Sequence, residues 1–416
     1  MNNNALLLLA GAKKTKQTIG VAGQQGFGVG VYGGSSADLT DIGLSPMQGC
    51  EDPASENYGN YQHTNGSVMV FIPAFCYRIG NPSAPSYSRD DDNALEIRDA
   101  ALGEGDGWIL HRAFIDGGQQ KRGFFMDKYI CSKDNTRKLA ISVKNADGIS
   151  LANSHQSSSM MPGCNGNLYD SITLSSARGN TYSLTTGFQW AAISMLSLAH
   201  GQAANSAQWC GWFDKTHTTN YPKGNNSNLK DYDDPSVTWT AHDTLGRYGV
   251  GKTGSGLPFN KTTHNGQTCG ITDVNGNMAQ VTLGITSPSS GNYNVLRDSV
   301  RSSDITKENV LLDYLYELYP TSNTQLRYYW GNNAFYRDVS GTQRALCGLI
   351  PQEFSLSKSN LFGIDLFKTS TVDKAALLVA GFSSGRQEDA GVWIRFFSEW
   401  SGGDTSISFR VAGYAL

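Results

Sequence analysis

Only two stretches of this 416-residue chain carry a helical pattern. In the first, Thr186–Leu198, the residues Phe188, Ala191, Ala192, Met195 and Leu198 fall at helical spacing, Thr185 or Thr186 can cap the start, and Gly201 ends it. The second is Glu308–Tyr319, stopped by Pro320. The remaining apolar residues come in short runs bounded by turn residues. Ser67–Ile72, Phe75–Arg78, Gly123–Ile130 and Lys138–Val143 are four. From Leu326 onward there are five more: Leu326–Trp330, Ala345–Ile350, Ala376–Gly381, Gly391–Phe397 and Ser406–Val411. Such runs read as strands. A doubly wound parallel sheet needs a crossover, usually a helix, between successive strands. That rhythm is missing, so the pattern predicts an α+β fold with long loops. No repeat of 20–50 residues is visible.

Composition narrows the function classes. Lys and Arg number 33 against 36 Asp and Glu, a net charge of -3, which gives no basic excess for nucleic acid. No apolar run approaches the ~18–20 residues of a membrane helix. The run Ala5–Ala12 is followed, not preceded, by Lys13, Lys14 and Lys16, the wrong order for a secretion signal. With 47 Gly and 44 aromatic residues (8 Trp, 19 Tyr, 17 Phe), the chain is expected to fold and to be rich in loops. Residues 202–268 are polar and turn-laden and read as an inserted loop region. Residues 1–56 read as a Gly-rich attachment or oligomerisation segment. Gly28, Gly30 and Gly33 fit GxGxxG, but no helix pattern follows.

No catalytic constellation stands out. The 7 Cys are widely spaced with no CxxC, and are expected to be reduced, buried thiols, consistent with assembly in a reducing cytoplasm. The 7 His are scattered, and neither a GxSxG elbow nor a P-loop occurs. No cofactor is expected. A structural calcium is left open, because Asp90–Asp92 and Asp233–Asp234 carry the right oxygens, although loop carboxylates are more often simply solvated.

The segment 378–410 is unusual. Between Gly381 and Arg410 it sets large aromatic and charged side chains among Gly and Ser, the composition of recognition surfaces. Arg386, Glu388, Asp389, Trp393, Arg395, Phe396, Glu399, Trp400 and Asp404 are the expected ligand-binding residues, forming one exposed patch. Alternation along a strand requires some to face inward, with Trp393 or Phe396 first in line.

Five segments, in order, resemble the landmarks of formylglycine-generating-enzyme-like domains, which are variants of the C-type lectin fold: Ser67–Arg78 (SVMVFIPAFCYR), Gly123–Ser132 (GFFMDKYICS), Thr185–Ala192 (TTGFQWAA), Thr272–Gln280 (TDVNGNMAQ) and Ser408–Val411 (SFRV). Gln189 stands where that family's helix motif has Glu, and Gln280-Val281 where its loop has Glu-Trp. The family's enzymes carry a C-terminal Cys pair for copper binding and oxidation, whereas no Cys follows Cys347 here. The resemblance therefore implies the fold, over residues 57–416, without the activity. Leu378–Arg410 also resembles the variable region of diversity-generating retroelement proteins.

That resemblance implies a receptor-binding protein with a diversified C-terminal surface at a phage tail-fibre tip. Its partners would be a bacterial surface receptor, protein or glycan, and other tail proteins. The chain would be a homo-oligomer in the virion; only analogy with a phage member suggests a trimer. The alternatives are an oxidase-like enzyme of the formylglycine-generating kind and a structural tail or surface protein.

Overall fold

The computed structural model describes residues 18–134, 139–152, 166–213, 215, 224–225, 228–287, 292–320, 327–337, 341–357, 361–362, 365–369, 372–381 and 390–415. Within them the architecture is sheet-rich with few helices, compatible with the α+β expectation.

A six-stranded antiparallel sheet runs in the order Leu44–Pro46, Asn60–His63, Val68–Pro73, Gly123–Asp127, Val411–Gly413, Tyr182–Leu184. Its middle is apolar on both faces: Val70 opposes Met126 and Phe71 opposes Phe125, all fully buried. Strands covered on both sides read as unbroken apolar runs, which is why this region was visible in the sequence. Phe125 packs against Phe71 at 4.9 Å and edge-on against Tyr61 at 5.1 Å.

Residues 18–56 belong to this core. Tyr32 meets Phe71 at 5.4 Å, its amide donates to the Tyr61 hydroxyl at 2.7 Å, and Leu44–Pro46 forms the outer strand. The boundary expected at residue 57 separates no second core, because Ile19, Phe27, Val29 and Leu39 join the same buried cluster.

The helix Gly187–Ala203 packs against the strand Leu95–Asp99 and against Ala279–Thr286, Ala376–Gly381 and Ala390–Ser398. Thr186 caps it, and Gln189 completes a capping box by accepting from the Thr186 amide at 2.9 Å. Gln serves that position as well as Glu does. All its residues except Ala203 are buried, as expected of a helix that is apolar all round.

A second sheet runs in the order Tyr316–Pro320, Asn292–Leu296, Ala279–Thr286, Ala376–Gly381, Ala390–Ser398, Leu366–Lys368, Arg327–Trp330, Phe354–Ser355, with Ile407–Ser408 paired beside Ala279. After the helix, the described residues of 204–268 hold two 3-10 turns and isolated bridges.

Two expected elements differ. Glu308–Tyr319 is a turn, a 3-10 turn and the strand Tyr316–Pro320, paired along its length with Asn292–Leu296. A helix would have needed Tyr314 and Leu318 on its core face, and they are 68% and 64% exposed; cross-strand pairing wins over the local pattern. Ala345–Ile350 is a buried turn, not a strand. Gly348 takes a φ of +71°, which interrupts any extended run.

Candidate ligand-binding site

The C-terminal segment is anchored by two buried arginines. Arg410 is fully buried. Its Nη1 donates to the carbonyls of Asp127 (3.0 Å) and Lys128 (2.9 Å), its Nη2 to that of Thr272, and its Nε to Gln280 Oε1 (2.6 Å). The Arg410 carbonyl accepts from the amide (3.1 Å) and hydroxyl (2.9 Å) of Thr185. Burial pushes the guanidinium down to about 10, opposed by Asp273 and Asp127, so it stays charged at neutral pH.

Asp127 is equally engaged. It pairs with Arg178, both side chains being buried, and accepts from the Val411 amide at 3.0 Å and the Cys131 thiol at 3.2 Å. The final strand is thus locked to the second landmark by a carboxylate and to the fourth by a guanidinium. The fourth landmark also holds the insertion. Asp273 accepts from the Gly254 amide (2.7 Å) and the Trp239 indole (3.0 Å), and Asn277 exchanges hydrogen bonds with Gly251 and accepts from Asn225.

Arg395 holds a local distortion. Pairing of Ala376–Gly381 with Ala390–Ser398 shifts register between Val379 and Gly381, leaving residues 391–394 as a bulge. Arg395 Nη1 donates to the Val392 (3.0 Å) and Ile394 (2.9 Å) carbonyls inside it, and Nη2 to Ser194 Oγ (2.9 Å) and the Gly348 carbonyl (3.2 Å). Burial alone pushes this guanidinium down to about 9. Beside it, Trp393 packs among Trp330 (4.8 Å), Phe362 (5.2 Å) and Phe335 (5.6 Å). Its amide donates to Asp365 at 2.8 Å. Gly391, at φ +152°, is required there, since a Cβ would lie 2.2 Å from the Asp365 carboxylate oxygens.

These positions correct the expected patch. Trp393, Arg395 and Trp400 are interior, 0%, 0% and 3% exposed, so they shape the segment rather than face a ligand. Trp400 stacks on Tyr169 at 5.6 Å, and its carbonyl accepts from the Leu168 amide. Phe396 is half-buried against the core. Glu399 and Asp404 are exposed; Asp404 caps the following turn through the Ser406 amide (2.9 Å) and hydroxyl (2.6 Å). Arg386, Glu388 and Asp389 lie outside the described residues. Glu399 and Asp404 follow the last residue of the strand Ala390–Ser398. The described members form no single contiguous exposed patch.

Sequence reading missed Ser401 and Gly403, exposed beside Glu399. The Ser-Gly-Gly-Asp turn chemistry of 401–404 was the available signal. Of the acids considered for calcium, Asp90 pairs with Arg89 (2.5 Å), Asp92 with Arg337 (2.7 Å) and Asp234 with Lys261. Among the described residues no group of three or more His, Cys, Asp or Glu is placed to hold a metal. The six described cysteines are buried, and burial raises the Cys347 thiol to about 12. No described helix is long and apolar enough to cross a membrane.

No family model and no curated protein matches the chain. Among solved structures it is similar to a Major Tropism Determinant U1 variant, at 8% identity and a TM-score of 0.29, over 84% of this chain and 63% of that one. It is also similar to a Major Tropism Determinant M1 variant, at 9% identity and a TM-score of 0.29, with the same shares covered. The chain spans less than two thirds of the length of either.

Proposed function

We propose that this chain is a receptor-binding protein on a C-type lectin-type scaffold, of the kind displayed at a phage tail-fibre tip, and that it is not an enzyme. One observation carries the scaffold reading. Four of the five sequence landmarks meet at Arg410: it lies in the fifth, bonds Asp127 and Lys128 of the second and Thr272 and Gln280 of the fourth, and accepts from Thr185 of the third. The first landmark's strand pairs with the second's. Segments drawn together by one guanidinium are hard to explain as chance matches.

The proposed ligand-binding residues are those flanking the strand Ala390–Ser398 in sequence: Arg386, Glu388 and Asp389 before it, and the exposed Glu399, Ser401 and Asp404 after it. The strand is fixed by Arg395, Trp393 and Gly391, so its neighbours can change while the backbone path holds. Exposed loop positions carry few buried contacts and tolerate substitution. A buried Cys347 with a raised thiol pKa is a poor redox centre, which favours binding over oxidase chemistry. Several copies on one particle would add avidity to weak single contacts.

The test is adsorption to host cells. A variant with Glu399, Ser401 and Asp404 replaced by Ala, and a second with Arg386, Glu388 and Asp389 replaced, should melt like the parent, and at least one should lose host binding. Normal binding by both would sink the proposal. Turnover on a sulfatase-type cysteine peptide would favour the oxidase reading instead.

A further inference from the structure

The outer edge of the six-stranded sheet carries an open cleft of about 490 Å³, far from the C-terminal segment in sequence. Its volume falls within the ~300–1,000 Å³ usual for small-molecule sites. Thr40, Ser45, Gln62, His63, Thr64 and Asn65 line it, and no Asp, Glu, Lys or Arg does. Two turns build it: residues 40–43 lead into the edge strand Leu44–Pro46, and residues 64–66 join Asn60–His63 to Val68–Pro73.

His63 is the informative residue. It is only 7% exposed, and its ring packs edge-on against Tyr182 at 5.3 Å. Its Nδ1 accepts from the Asn65 amide at 3.1 Å, so the neutral ring carries its proton on Nε2. Burial lowers the pKa of the ring, which keeps it in that neutral form. Among the described residues Nε2 has no hydrogen-bond partner, and neither do the exposed side-chain carboxamide of Gln62 and the exposed Thr64 hydroxyl. All three open onto the solvent of the cleft, so a ligand hydroxyl can take the place of water at each. Gly43, at φ +71°, keeps the approach open: a Cβ there would lie 3.0 Å from His63 Nε2 and 3.2 Å from Thr64 Oγ1. A lining that offers donors and acceptors together, without charge, matches a neutral ligand bearing several hydroxyls.

We infer that this cleft binds one unit of a neutral saccharide, with His63 Nε2–H, Gln62 and Thr64 meeting its hydroxyls. None of the cleft's lining residues belongs to the proposed receptor-binding stretches, so substitutions in one leave the side chains of the other in place. The test uses the full chain with glucose, galactose and N-acetylglucosamine as probes, and glucuronic acid and glucosamine as charged controls. Binding is followed by saturation-transfer NMR and by the ring-nitrogen shift of His63.

At least one neutral sugar should bind with a millimolar Kd and move the His63 signal. Gln62→Ala with Thr64→Ala, both at exposed positions, should weaken that binding at least ~10-fold while the melting curve stays unchanged. His63→Phe keeps the ring but removes the donor, and should weaken it similarly. The inference fails if no neutral sugar binds, if only the charged sugars bind, or if a sugar binds without moving His63 and without loss in the variants.

Discussion

Arg410 and Arg395 are both fully buried guanidiniums in the same segment, yet their surroundings differ in kind. Arg410 sits where segments from residues 127, 185, 272 and 280 converge, with the carboxylates of Asp127 and Asp273 close enough to raise its pKa against burial. Arg395 has carbonyls, one hydroxyl and aromatic rings around it, and burial alone sets its pKa. The first ties distant parts of the chain together, and the second shapes one strand. Losing a guanidinium that joins distant segments loosens several parts of the fold at once. One that supports a bulge can be replaced by an apolar side chain of similar shape at less cost.

The largest expected effect tests the first half of that comparison. Arg178→Met strips the buried Asp127 of its counter-charge and should cost about 3–5 kcal/mol in chemical denaturation. Arg410→Met, which removes the guanidinium's bonds to three carbonyls and Gln280 Oε1, should approach it at roughly 3 kcal/mol. Arg395→Met abandons no carboxylate and should cost about 1–2 kcal/mol. Equal losses for Arg178→Met and Arg395→Met would break the distinction.

Acid should act on a different part of the core. His200 Nδ1 accepts from the Gly23 amide while its Nε2–H faces the Trp209 carbonyl; His264 Nδ1 accepts from Ile271 while its Nε2–H faces the Gly28 carbonyl. Protonating either ring sets a hydrogen against an N–H. Burial lowers both rings to about 4 from an ordinary value near 6.5. Between those values the unfolded chain takes up protons that the folded chain refuses. Their contribution is therefore complete above pH 6.5 and lost as pH falls toward 4. Protection of the amides in residues 20–30, taken against the pH-dependent intrinsic exchange rate, should fall first over that window. Constant protection there from pH 7 to 4 would contradict it.

The smallest effect belongs to the exposed turn. Glu399→Ala and Ser401→Ala should each move stability by no more than about 0.5 kcal/mol. A larger loss would mean that 399–405 belongs to the rigid scaffold and not to the surface it presents.

The sequence made the sheet centres legible because Val68–Pro73, Gly123–Asp127 and Ala376–Gly381 are continuous apolar runs with turn residues at their ends. The cap at Thr186 was legible for the same local reason. Arg395 and Trp400 were misread as surface because charge in a segment usually means water, whereas Trp393 was one of the two residues alternation marked to face inward. What satisfies Arg395 is a set of carbonyls freed by a bulge, and a bulge leaves no mark in composition. Gly391 carried part of the signal, since its φ and its contact with Asp365 set the bulge. The interior place of residues 18–56 depended on partners hundreds of positions away, such as His200 and His264, which no local pattern announces.

Val411–Gly413 lies inside the six-stranded sheet, between Gly123–Asp127 and Tyr182–Leu184, not at its rim. The ribosome reaches residue 411 only after every other strand described here has been made. Until then Gly123–Asp127 and Tyr182–Leu184 have unfilled edges facing each other, and Asp127 waits for the Val411 amide. A chain cut short anywhere in 378–410 would lack the strand that closes this gap, and unpaired edges invite aggregation. A stop codon anywhere in that region therefore yields a product that cannot complete its sheet.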